Sequence, residues 1–242
     1  MAPSALSRPT ALVAGGSGAV GAVVCRLLVQ DGWRVVATTR SPDRAAALAA
    51  AGVEPVILDV FDRDRLLAAA SAVEPSVVIH QLTDLPKQFS PEKLEAARPG
   101  NARVRGEGTA NLVAAARAAG ARRLVAQSIA FAYAPGPRPH DERAPLDAAA
   151  FPSIVSLEQQ VLDSGLDACI LRYGRFYGPN TWSDVPTGEA PVHVEAAAHA
   201  ARCAVHAEEP GIYNIAEDDG VVTSARARRI LGWTPDFRMR RS

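Results

Sequence analysis

Three glycines spaced three residues apart, Gly15, Gly18 and Gly21, stand between a compact apolar run and an apolar helical pattern. No other feature restricts the fold as much. The run is Thr10 to Ala14 (TALVA), and the helical stretch goes from Ala22 to Gln30, closed by Asp31-Gly32. Strand, glycine turn and helix in that order open a βαβ unit that binds a dinucleotide. The first glycine permits the tight turn, the second lets the backbone approach a pyrophosphate, and the third lets helix and strand pack closely. The helix amino terminus adds unpaired N–H donors and partial positive charge. Gly15, Ser17, Gly18, Ala19, Val20 and Gly21 are therefore expected to cradle the cofactor's phosphates. A P-loop is excluded, because no Gly-Lys-Ser/Thr follows.

The strand-and-helix rhythm continues down the chain. Strands are expected at 34–39 (RVVATT), 54–58 (EPVIL), 76–80 (SVVIH), 123–127 and 168–173 (ACILRY), with helices at 42–51, 62–72, about 102–119 and 152–163. Continuous apolar strands alternating with helices imply an α/β fold with a doubly wound parallel sheet, the Rossmann arrangement. Beyond Gly178-Pro179 the pattern loosens to a loop up to Pro191, an Ala-rich helix at about 192–207, a short strand at 212–215 and a helix at 223–231. The expected organisation is a dinucleotide-binding domain over 8–179 and a small, shortened carboxyl-terminal substrate lobe over 180–242, packed on it as one globular unit. A chain of 242 residues has no room for two full-sized domains.

Charge and composition narrow the partners. Twenty-six basic residues balance twenty-six acidic ones, so no net field draws nucleic acid or an anionic membrane. No stretch reaches 18 uninterrupted apolar residues, and the first ten residues, MAPSALSRPT, contain no apolar run, which fits a cytoplasmic location. Cys25, Cys169 and Cys203 sit far apart among apolar neighbours, as small core residues do. His193, His199 and His206 lack the i, i+4 spacing of paired helical ligands, so no metal is expected. The partner left is a small-molecule substrate.

The second strand ends Thr38-Thr39-Arg40, where an NAD-selective site would place an acid against the ribose hydroxyls. Arg40 can pair with a 2′-phosphate instead, so NADP is the expected cofactor and NAD the alternative. Asp59, at the end of the third strand and followed by Val60, is positioned to accept from the adenine amino group.

Several motifs in a fixed order resemble the short-chain dehydrogenase/reductase superfamily, in its extended branch of NAD-dependent epimerases and dehydratases. They are GGSGAVG at 15–21, Asp59, SVVIHQLT at 76–83, GEGTANLVAAARAAGARRLVAQS at 106–128, LRYGRFYGP at 171–179 and ARRILGWTP at 227–235. The resemblance implies that Gln81, Leu82 and Thr83 line the cofactor, that the stretch Tyr173 to Tyr177 passes beside the nicotinamide, and that a homodimer forms through the helices at about 102–119 and 152–163.

The catalytic half of the family pattern is missing. Residues four positions after Tyr133, Tyr173, Tyr177 and Tyr213 are Pro137, Tyr177, Thr181 and Glu217, and Lys87 and Lys93 both precede every tyrosine. If Glu158 matches the family's glutamate, Ala150 and Ile154 occupy the tyrosine and lysine positions. Ile129 falls where the catalytic hydroxyl belongs, with Ser128 one residue before, and Arg105 replaces the family's Asn. Two readings follow. In one, an NAD(P)-dependent oxidoreductase of the epimerase type transfers hydride to or from a small carbonyl or alcohol, with Tyr133, Ser128 or Tyr177 in catalytic roles. In the other, the cofactor is bound without redox chemistry, in a non-redox isomerase or cyclase, a scaffold or a sensor. Trp182 is placed to border the substrate pocket.

Overall fold

A computed structural model describes residues 8–240; positions 1–7, most of the amino-terminal stretch read above, lie outside the described residues. The first half runs β1 (Thr10–Ala14), α1 (Ala19–Gln30), β2 (Arg34–Thr39), α2 (Pro42–Ala50), β3 (Glu54–Ile57), α3 (Arg63–Val73) and β4 (Val77–His80). The second runs α4 (Pro91–Arg103), α5 (Thr109–Ala118), β5 (Arg123–Ile129), α6 (Pro152–Leu162), β6 (Asp167–Tyr173), β7 (Arg175–Tyr177), β8 (Pro191–His193), α7 (Val194–Ala204) and β9 (Gly211–Ile215).

Seven strands form one sheet in the order β3-β2-β1-β4-β5-β6-β9, each neighbouring pair parallel. The order reverses at β1, which pairs with both β2 and β4, and a doubly wound sheet opens a crevice at that reversal. Both faces are covered, which is why the strands read as unbroken apolar runs. On one face α1 and α7 join Val13, Val24, Leu28, Ile79, Leu171, Ala197, Tyr213 and Trp233 in a common core. On the other, Leu12, Leu66, Val78, Leu112, Leu124, Leu157 and Ile170 pack beneath α3, α5 and α6.

Residues beyond 179 add to the same sheet and core as those before it. β9 is the edge strand of the main sheet, and α7 shares its apolar cluster with α1. The buried guanidinium of Arg123, at the start of β5, donates to the carbonyls of Ala204 (3.1 Å), Val205 (2.8 Å) and Ala207 (2.6 Å). A cation thus satisfies the end of α7, where unpaired carbonyls collect negative charge.

Two further elements differ from the sequence reading. The helix expected at 102–119 begins at Pro91, with Ser90 as its cap, and runs through a π-helical turn at Val104–Gly108. Its first half, PEKLEAARPGNAR, is too polar to show an apolar stripe and holds Pro99 in its interior. On either side of the expected loop, β7 pairs with β8 through Arg175↔Pro191, Phe176↔Val192 and Tyr177↔His193, so the Ala-rich helix starts at Val194 rather than at about 192. Three-residue strands leave no period to read.

Candidate functional site

The glycine turn lies where β1 hands over to α1. Gly15 has φ +87, and a Cβ there would stand 2.7 Å from the Gln81 carbonyl oxygen. The Gly15 carbonyl accepts from the Gly18 N–H at 3.0 Å, closing the turn. A Cβ at Gly21 would run into that same carbonyl, so the third glycine lets the helix close over the turn. Gly18 differs from both: a Cβ there would meet only Gly15 O, at 3.3 Å. Gly18 is also the N-cap of α1 and supplies no side-chain cap, leaving the first-turn N–H groups of Ala19, Val20 and Gly21 without one. Ser17 Oγ lies 3.3 Å from Thr39 Oγ1, tying the turn to the end of β2.

The neighbouring strand ends supply the other sides. Arg40 is exposed and 3.7 Å from Asp84. Asp59 accepts the Phe61 N–H on Oδ1 at 3.0 Å, and the Val60 carbonyl is held by Asn111 Nδ2 at 3.0 Å. Gln81 is buried, and its backbone N–H donates to Ala14 O at 2.8 Å. Its Nε2 reaches the Tyr173 hydroxyl at 3.3 Å, while its Oε1 is buried without a hydrogen-bond partner. Burial raises the Tyr173 phenol well above its ordinary pKa. Leu82 donates its N–H to His80 Nδ1 (3.2 Å) and accepts from Gln127 Nε2 (2.7 Å); Thr83 is exposed. Burial, with Arg105 nearby, lowers the His80 pKa to about 4, so its ring is neutral and bonds Thr109 Oγ1 at 3.1 Å. These residues converge on one edge of the sheet, and the turn that Gly18 leaves open together with the unpartnered Gln81 Oε1 fits a dinucleotide.

The three hydroxyls proposed for catalysis fall into two networks. Ser128 donates to Glu158 Oε1 at 2.6 Å. Glu158 is gripped by Arg172, Nε to Oε1 at 2.9 Å and Nη2 to Oε2 at 2.7 Å, both side chains being buried. Burial, the largest single influence, opposes the Arg172 charge, but the Glu158 carboxylate and the Tyr133 hydroxyl together outweigh it and leave the guanidinium pKa raised. Arg172 Nη1 donates to the Tyr133 hydroxyl at 2.9 Å, and that hydroxyl donates to Asn214 Oδ1 at 2.6 Å. Desolvation, only partly offset by Arg172, raises the Tyr133 pKa. Tyr177 stands apart: its hydroxyl donates to Glu217 Oε1 at 2.6 Å and accepts from Arg238 Nη2 at 3.2 Å. Burial and the Glu217 carboxylate push its pKa up to about 12. Sequence reasoning missed Arg172 and Asn214 as the partners that engage Tyr133. A signal existed in the charged residue inside the apolar strand ACILRY, since a buried arginine requires an equally buried partner.

Comparison with known proteins fits this geometry. Residues 15–200 match the NAD(P)H-binding family. A 3-diazoavenalumate denitrifying reductase from a Streptomyces species is 41% identical over 270 residues, covering 92% of this chain and 87% of that protein. Among solved structures, the UDP-glucose 4-epimerase of Thermotoga maritima with UDP-glucose has a TM-score of 0.74 at 16% identity, covering 94% of each chain. The enzyme WbmG of Bordetella bronchiseptica, in complex with NAD, gives the same TM-score and identity over 99% of this chain and 92% of that one. The two solved structures share the Rossmann fold, the reductase shares sequence over nearly its whole length, and the chain belongs to the NAD(P)H-binding family.

Proposed function

We propose that this protein is an NADP(H)-dependent reductase that delivers hydride to a small electrophile without a dedicated proton donor, and that the electrophile is an aryl diazonium cation. The observation that carries this reading is where three protons go: Ser128 gives its proton to Glu158, Tyr133 to Asn214 and Tyr177 to Glu217. None is free to protonate a substrate oxygen, and no tyrosine has a lysine four residues on. When bound, the reduced nicotinamide supplies a hydride, and hydride plus a diazonium cation balances to a C–H product and dinitrogen with no proton required. The relative's name, a denitrifying reductase of a diazo compound, supports that substrate class.

In this reading Gly15, Gly18 and the N–H groups of Ala19 to Gly21 hold the pyrophosphate, with Ser17 bracing the turn. Asp59 and Val60 border the adenine, and Gln81 Oε1, Leu82, Thr83 and Tyr173 border the nicotinamide end. Arg40 receives the 2′-phosphate. A charge-assisted contact of that kind contributes roughly 1.5–3 kcal/mol, so NADPH should bind at least about tenfold tighter than NADH. Arg40→Asp should reverse the order in calorimetric titrations; equal affinities of the wild type would remove the argument. Self-association through α5 and α6 belongs to the same reading, Leu162 of α6 being an exposed apolar side chain.

The test is protein-dependent NADPH oxidation by an aryl diazonium salt, with dinitrogen released in equal amount and deuterium from [4-²H]NADPH recovered in the product. Tyr133→Phe should keep turnover within about threefold. A drop of roughly 10²- to 10⁴-fold would instead restore Tyr133 as a general acid. Cofactor binding without oxidation of any diazo, carbonyl or alcohol substrate would establish the redox-inactive reading.

A further inference from the structure

Among the described residues the exposed large apolar side chains are Ile57, Leu85, Phe89, Leu162, Trp182 and Val185. Four of these six, Leu85, Phe89, Trp182 and Val185, belong to just two loops, one following β4 and the other following β7. Those loops meet. The Trp182 indole N–H donates to the Pro86 carbonyl at 2.9 Å, and the rings of Trp182 and Phe89 are 5.3 Å apart, tilted by 52°. The first loop begins at Gln81, directly after β4, and is braced by Gln127 on Leu82 O and by the Asp84 N–H on Asn101 Oδ1 (3.2 Å). The loop is thus held at Leu82 and Asp84, close in sequence to Gln81, and further along its Pro86 and Phe89 carry Trp182.

We propose that Phe89 and Trp182, whose rings already touch each other, form with Leu85 and Val185 an aromatic platform on whose exposed face the flat aryl group of the substrate stacks. Phe89 is 58% and Trp182 42% exposed, a cost the protein carries unless something apolar covers them. The indole N–H is already satisfied by Pro86, so the ring has only its π-face and edge left to offer, which suits stacking on an arene. A nucleoside diphosphate sugar, largely hydroxyl and phosphate, gains little from such a surface. The inference rests on the reductase reading for the identity of the cleft and of the arene, and it assigns the surface against which the carbon skeleton behind the reacting nitrogen lies.

Trp33 and Trp233 are buried, so Trp182 is the described tryptophan whose emission responds to a ligand at the surface. With NADP⁺ present, 4-hydroxybenzoate should bind saturably by calorimetry and shift the tryptophan emission. Trp182→Phe should abolish the spectral shift while keeping the calorimetric affinity within about threefold, and Trp182→Ala should raise Kd about tenfold. Unchanged affinity in Trp182→Ala, absence of saturable binding, or tighter binding of UDP-glucose than of the arene would overturn the platform. So would a wild-type dimer that Trp182→Ala converts to monomer, since a second copy would then own the patch. Binding is read here without hydride transfer, so a failure of the reductase assay leaves this result intact, and the reverse also holds.

Discussion

Gly18→Val is expected to weaken cofactor binding at least about 100-fold, on the order of 2.7 kcal/mol, while the protein unfolds at the wild-type temperature. The contrast with its neighbours makes the case. A Cβ at Gly15 meets the Gln81 backbone and one at Gly21 strikes the Gly15 carbonyl, so substituting either deforms the fold before it touches a ligand. At Gly18 the only heavy atom within reach is Gly15 O at 3.3 Å, and the chain already has an ordinary extended conformation there, φ −81 and ψ 174. A Cβ there asks Gly15 O to give by only a few tenths of an ångström, and the side chain it carries stands at the turn where backbone N–H groups would meet phosphate. Calorimetric titration with NADPH beside a thermal melt separates the two effects. Retained affinity would show that the turn does not cradle a pyrophosphate.

The second large effect is on stability. Glu158→Ala leaves the Arg172 guanidinium buried without its carboxylate and takes away the acceptor of the Ser128 hydroxyl. Removing one partner of a buried ion pair costs about 3–5 kcal/mol, because an uncompensated charge stays in the interior. For a chain of this length that lowers Tm by roughly 10 °C. The exposed Arg103–Glu107 pair has similarly short contacts, 2.7 and 3.1 Å, yet Glu107→Ala should hardly move Tm, since water solvates whichever charge is left. Scanning calorimetry on both variants checks the difference; equal melting temperatures would mean that the buried pair is held by nothing stronger than the exposed one.

The sheet was legible because its chemistry is local. A strand buried on both faces is mostly apolar, so TALVA, RVVATT, SVVIH and ACILRY announce themselves within a few residues of their observed ends. The glycine turn was legible for the same reason, since Gly15, Gly18 and Gly21 act within one turn of chain. What escaped notice is long-range. Tyr133 looks like an available acid in sequence, but its hydroxyl is engaged by Arg172 and Asn214, which lie 39 and 81 residues away. No local pattern encodes that engagement. Similarly, β7 and β8 exist because Gly174 lets the chain pass the Ala190 carbonyl, a closeness visible only once both segments are placed.

The sheet closes with a late strand. β9 is made after 210 residues have been joined, and only then does β6 lose its open edge; α7, which covers α1, precedes it by only a few residues. On the ribosome, the growing chain therefore carries a finished glycine turn beside an unfinished half-core, with a parallel strand edge and the apolar side of α1 exposed to its surroundings. Such edges recruit other strands. Arg123 waits in that nascent form as a cation without the carbonyls of Ala204, Val205 and Ala207 that later enclose it. Its docking onto the end of α7 is what gives that buried cation its acceptors.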